Sequence, residues 1–225
     1  MIYSPNEFKD GNAPTYIERT RTFMSVTAII DYGAGNLHSV KNALDYIGEK
    51  NIITNDKETI LCADKVILPG VGAFGDSMAA LSERGLNKTV LEVVSQNKPL
   101  LGICLGLQLM FEESEESPGV EGLGIFKGKI VRIPKTGGLK IPHIGWNDII
   151  VKKSAILKDL SDRPYVYFVH SYYMQAEDES DVSAYTDYGV RLAVAAERGN
   201  VFATQFHPEK SGDVGMKILK NFTAL

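Results

Sequence analysis

Cysteine is scarce: Cys62 and Cys104 are the only two among 225 residues. Such a chain carries no disulfide framework, and so few thiols fit a reducing, cytoplasmic setting. The two also lack metal-ligand spacing, and neither a metal nor an organic cofactor is expected. A basic excess is missing as well. The net charge is -4 and no Lys/Arg cluster stands out, which excludes a phosphate-tracking nucleic-acid surface. No window reaches the roughly 20 apolar residues of a membrane helix, so no membrane partner is expected. Residues 1–24 are polar, contain Pro5, Gly11 and Pro14, and lack the apolar stretch of a secretory signal. They read as a leader outside the core fold, either an extension or an upstream start before Met24, with 25–225 as one domain.

The remaining composition, 44% apolar and 23% charged, is that of a globular domain able to bury a large core. From Val26 short apolar runs alternate with amphipathic segments: "VTAII", "LHSVKNALDYIG", "KNIITN", "KVILPG", "SMAALSERGLNKTVLEVVSQ" and "PLLGI". That alternation predicts βαβ units and an α/β fold, a mostly parallel open sheet with helices on both faces. After about Gly119 the strand-like pieces "IFKGKIVRIP" and "WNDIIVKK" predict a few flanking antiparallel strands, and "VGMKILKNFTAL" closes the chain as a helix.

In "PLLGICLGLQLMFEES" Gly102 and Gly106 stand two residues either side of Cys104. This is the spacing of a strand-to-helix nucleophile elbow with sulfur in place of hydroxyl. Small flanking residues let neighbouring backbone approach a strained turn, and the helix "LGLQLMFEES" aims its N-terminal N–H groups at the sulfur, which favours the thiolate. The elbow alone leaves a nucleophile and a buried core cysteine both open. Cys62, in "ILCADK", has no such frame and reads as a core filler.

A thiolate needs a base, and among the four histidines His207 stands out. "VFATQFHPEK" reads as a strand with Val201, Ala203, Gln205 and His207 on one face, ended by Pro208. Glu209 can turn back onto the imidazole, fix its tautomer and stabilise its cation. Cys104 and His207 then share the carboxyl edge of the sheet, where open α/β folds bind ligands. Together they predict a Cys104-His207-Glu209 triad. The oxyanion of acyl transfer is expected to be held by the N–H of Leu105 and by that of Val71 in "LPGVGAFG". The same loop spaces Gly70, Gly72 and Gly75 as a dinucleotide fingerprint. That reading fails for want of an acid at the end of the next strand, because Glu92 falls inside "LNKTVLEVVS".

With "GICLGLQ" and "FHPEKSG" in place, the chain resembles the class I (triad) glutamine amidotransferases, and "PGVGAFGDSM", "PHIGWN" and "FVHSYY" are similar to the glutaminase subunits of imidazole glycerol phosphate synthases. The resemblance runs from about Val26 to the C-terminus. It implies a flavodoxin-like α/β sheet, glutamine as substrate, a Cys104 thioester, and His207 as base and then acid with Glu209 orienting it. It also implies ammonia delivery to a cyclase subunit in a heterodimer that makes imidazole glycerol phosphate for histidine biosynthesis. Family members are weak glutaminases until that partner binds, which suits a mobile oxyanion loop whose donor is turned away at rest.

By the same resemblance Gly70, Gly72, Gln108, His170, Ser171 and Tyr172 fall at glutamine-binding positions. Glu116, in "FEESEES", reads either as a contact for the substrate ammonium or as part of a solvated helix end. His170 reads equally as a packed residue of "YVYFVHSYY". Trp146, the only tryptophan, is open between core and interface; the resemblance turns it and the loop around Asn36 toward the cyclase. A glutaminase of another synthase, a triad thiol hydrolase and a binding module are the competing readings. The "PHIGWN" and "FVHSYY" segments argue against the first, and the intact triad against the last.

Overall fold

The computed structural model describes residues 25–225; the leader expected at 1–24 lies outside them. The chain runs β1 (Val26–Ile30), α1 (Leu37–Tyr46), β2 (Lys50–Thr54), α2 (Lys57–Cys62), β3 (Lys65–Leu68), α3 (Phe74–Glu83), α4 (Leu86–Ser95), β4 (Leu100–Ile103) and α5 (Leu105–Leu109). The second half holds β5 (Glu113–Ser114), β6 (Gly128–Arg132), β7 (His143–Asp148), β8 (Ile150–Val151), β9 (Tyr165–His170) and β10 (Tyr172–Ala176). It ends with β11 (Val182–Tyr188), β12 (Val190–Arg198), β13 (Val201–Thr204) and α6 (Gly212–Thr223).

Five strands, in the order β2-β1-β3-β4-β13, are mutually parallel; β12, β10 and β6 continue the sheet, each antiparallel to the strand before it, and β5 pairs parallel with β6. This is the predicted α/β class. The inner strands are buried on both faces, which is why they read as unbroken apolar runs. Alternate residues serve opposite layers. Ala28, Ile30, Val66 and Leu68 pack with Ile60, Met78, Leu81 and Val93 of α2 to α4. Ile29, Ile67, Leu101 and Ile103 pack with Val40, Leu44, Ile218 and Phe222 of α1 and α6. Strands β7 and β9 form a separate antiparallel pair, with Gly145 opposite Phe168 and Trp146 opposite Tyr167.

Several boundaries differ from the expectation. The run "SMAALSERGLNKTVLEVVSQ" is two helices, because Gly85 takes φ +70° between them. Helix α5 stops at Leu109, and "FEESEES" leads into the short strand β5 beside β6 instead of ending a helix. Cys62 is exposed at the end of α2, so the core-filler reading is corrected. Strand β13 ends at Thr204, before His207.

The sheet positions the site through one tight contact. Leu68 is paired with Gly102 on β4, and Thr204 on β13 with Ile103, so the chain leaves all three strands at one edge. A Cβ on Gly106 would lie 1.9 Å from the Leu68 carbonyl oxygen, and one on Gly102 would lie 2.8 Å from Met110 Cε. Only glycine at 106 lets α5 start that close to β3. The Gly106→Ala variant is expected to lose about 2 kcal/mol or more through overpacking. Thermal unfolding would read this as a midpoint at least about 4 °C lower.

Candidate active site

Cys104 joins β4 to α5 with φ +55° and ψ -108°, a conformation that L-residues rarely adopt. Its N–H is held by Thr204 O at 2.7 Å, and its carbonyl receives the N–H groups of Leu107 and Gln108. Strain at such a residue persists only where the surroundings over-determine it, and these bonds do so here. Among the described residues the N–H groups of Leu105 and Gly106 have no backbone acceptor, as expected for the first turn of a helix.

His207 precedes a single 3-10 turn, Pro208–Lys210, instead of closing a strand. Its N–H bonds to Tyr167 O on β9 at 3.0 Å, and Ser211 Oγ donates to its carbonyl at 2.6 Å. The side chains of His207 and Glu209 are both nearly fully buried, with Nδ1 and Oε1 2.8 Å apart. His207 Nε2 is turned to the Cys104 sulfur without closing a hydrogen bond. Burial pushes the His207 pKa down, but the Cys104 sulfur and the Glu209 carboxylate outweigh it and raise the value to about 10. The ring is therefore a cation at neutral pH.

Val71, Gly72, Cys104, Leu105, Gln108 and Glu116 line a cleft of about 330 Å³ with His170, Ser171, Tyr172 and His207. Gly72 has φ +100°, and Val71 is 41% exposed. Gly70 does not line the cleft; it packs against Tyr32, Leu105 and Gly106 from behind. Glu116 lies at the mouth and accepts the N–H of Phe74 at 2.8 Å, so one of its oxygens holds the first turn of α3. Gln108 Nε2 donates to Gln205 Oε1 at 3.0 Å and to Tyr172 O at 3.4 Å. Both of its N–H groups are thus spent inside the protein, and only its carbonyl oxygen is left for a ligand. Trp146 is 55% exposed beside Tyr167, and neither it nor Asn36 reaches the cleft.

Three contributors escaped the sequence reading. Gln205, fully buried, donates through Nε2 toward Cys104 Sγ at 3.7 Å; its place two residues before His207 was the only signal. Lys210 lines the mouth of the cleft. His143, within "PHIGWN", has Nδ1 3.0 Å from His170 Nε2, while His170 Nδ1 faces Tyr172 O at 2.9 Å. The carbonyl fixes the tautomers: His170 Nδ1 carries a proton and donates, and His143 Nδ1 donates in turn to His170 Nε2.

Residues 28–224 match the family described as Glutamine amidotransferase class-I. Imidazole glycerol phosphate synthase subunit HisH of Methanothermobacter thermautotrophicus is 50% identical over 199 residues, 88% of this chain and 98% of that protein. The HisH subunit of Bacillus cereus strain G9842 is 53% identical over 196 residues, 87% and 92% of the two chains. The chain belongs to the HisH family of class I glutamine amidotransferases. Solved structures share this chain's fold at low identity. A glutamine amidotransferase matches at 21% identity and TM-score 0.69, over 88% of this chain and 99% of its own. PurLQS from Thermotoga maritima matches at 19% and 0.70, over 88% and 97%.

Burial lowers the pKa of His143 to about 4 and that of His170 to about 3. Above pH 6.5 both are neutral folded and unfolded and leave stability unchanged. Below it the unfolded chain binds protons that the folded HisH-family chain cannot, so stability falls as pH drops from 6.5 through about 4. Urea unfolding at stepped pH is expected to show this slope in the wild type and a shallower one in His143→Gln.

Proposed function

We propose that this chain is the glutaminase subunit of an imidazole glycerol phosphate synthase, hydrolysing glutamine at Cys104 and passing ammonia to a cyclase subunit for histidine biosynthesis. The observation that carries this reading is the buried His207, bonded to Glu209 through Nδ1 and turned to the strained Cys104 through Nε2.

The Cys104 thiolate attacks the side-chain carbonyl carbon of glutamine, and the carbonyl oxygen becomes an oxyanion held by the N–H groups of Leu105 and Val71. The His207 cation gives its Nε2 proton to the leaving nitrogen, the C–N bond breaks, and ammonia leaves a γ-glutamyl thioester. Neutral His207 then takes a proton from water as the water attacks the thioester. The second tetrahedral intermediate collapses to glutamate and restores the thiolate with its imidazolium. Glu209 keeps the Nδ1 proton in place and stabilises the cation in both halves.

The α-amino group of glutamine is assigned to the second oxygen of Glu116, and its carboxylate to the Ser171-Tyr172 segment. Gln108 contributes its carbonyl oxygen. A reducing, cytoplasmic compartment suits a catalytic free thiol.

The cyclase is assigned to the outer face of β7 and β9. Ile144, Trp146, Tyr165 and Val169 expose apolar side chains there, 59%, 55%, 59% and 37% accessible, a concentration that marks an interaction surface. Val169 also lines the cleft, so a partner on this face would sit beside the chemistry. Asn36 is assigned to the edge of the same contact.

Glutamate release from glutamine, measured with and without the cyclase, tests the mechanism. Release is expected to depend on the partner, to vanish in Cys104→Ala, and to fall at least about 100-fold in Glu209→Gln; release that survives Cys104→Ala rules the mechanism out. The Ile144→Asp variant is expected to weaken cyclase binding at least about tenfold by calorimetry, and unchanged affinity would move the interface elsewhere.

A further inference from the structure

Tyr32 lies just beyond β1 and is wholly buried, yet its hydroxyl has no hydrogen-bond partner among the described residues. A buried hydroxyl left unpaired lowers stability and is rare in a folded chain. Its position supplies a reason. A Cβ on Gly70 would lie 2.7 Å from the Tyr32 oxygen, so the ring sits directly beneath the oxyanion loop. Val71 and Gly72 line the cleft on the open side of that loop, and Tyr32 is on the buried side.

The loop is held at its ends and free between them. Gly70 packs against Gly106, while the N–H groups of Phe74 and Gly75 bond to Glu116 and Ser117. No backbone-to-backbone hydrogen bond reaches Gly70, Val71 or Gly72 among the described residues. A Cβ on Gly72 would meet nothing within 4 Å. Rotation of the Gly70–Val71 peptide therefore breaks no backbone bond.

In a trans peptide the N–H and C=O point in opposite directions. We propose that Tyr32 is a positioning residue for the oxyanion loop: when the Val71 N–H turns toward Cys104, the Gly70 carbonyl turns to the Tyr32 hydroxyl and accepts its hydrogen bond. The unpaired hydroxyl of the resting loop is satisfied only when the oxyanion donor is in place, so it biases the loop toward the catalytic arrangement. Burial, with Cys104 adding to it, raises the hydroxyl's pKa to about 12 and outweighs Ser77, which approaches without closing a hydrogen bond and lowers it, so the hydroxyl is a proton donor. The inference rests on Cys104 as nucleophile and Val71 as oxyanion donor.

The Tyr32→Phe variant tests it in the complex with the cyclase, beside wild type and Cys104→Ala. The expected result is a glutaminase kcat about tenfold lower, the worth of one hydrogen bond, with KM for glutamine within about twofold. The thermal midpoint of the free chain should be equal or higher, because an unpaired hydroxyl has been removed. Iodoacetamide should alkylate Cys104 at the wild-type rate. An unchanged kcat overturns the proposal. A lowered midpoint or failure to fold also overturns it, since either marks Tyr32 as a structural residue. Activity surviving in Cys104→Ala would instead defeat the nucleophile assignment on which the inference rests, a separate outcome from normal turnover in Tyr32→Phe.

Discussion

The close approach of Gly106 to the Leu68 carbonyl is the constraint on which the rest of the site depends. It brings the start of α5 against the end of β3, and the residue joining β4 to α5 takes a positive φ of +55° at that corner. Cys104 occupies that corner with its sulfur at the sheet edge. The loop after β3 passes over the first turn of α5, and β13 on the other side delivers His207 to the same place. Without the approach, the thiol, the helix start and the loop would not share one cleft.

Burial acts on three neighbouring histidines and does not give them the same charge. His207 is raised because the sulfur and carboxylate facing its two nitrogens outweigh burial; His170 is lowered because burial, with the neighbouring His143 and His207 rings, outweighs the Tyr172 carbonyl that would raise it. His143, stacked on Tyr188 and Phe168, is lowered by burial alone. The pocket thus sets one imidazolium at the thiol beside a neutral pair that fixes the Tyr172 carbonyl. That carbonyl also accepts from Gln108, whose other N–H reaches Gln205 and through it the Cys104 sulfur. The wall of the cleft and the Cys104 sulfur therefore belong to one hydrogen-bonded network, in which pieces couple more strongly than isolated pairs.

Much of this was legible in the sequence because it is written in local spacing. Apolar runs that alternate with amphipathic stretches predict buried parallel strands, and the glycines around Cys104 predict the turn. Boundaries were harder where tertiary contacts overrule local pattern. "VFATQFHP" reads as one strand, but its residues are buried almost throughout, so periodicity had no solvent face to mark where β13 stops. "FEES" reads as helix until pairing of Glu113 and Ser114 with β6 claims it. Cys62 reads as core only for want of a nucleophile frame, and it is exposed at the end of α2. His143 and Gln205 acquire their partners only across strands far apart in the chain, and no spacing encodes that.

The central claim is a covalent one: glutamine is hydrolysed through a γ-glutamyl thioester on Cys104. Acid quenching of the complex during glutamine turnover, followed by peptide mass spectrometry, tests it most directly. The account predicts a γ-glutamyl adduct confined to the peptide containing Cys104 and absent without glutamine. Steady turnover with no adduct on Cys104, or an adduct on any other residue, would contradict it.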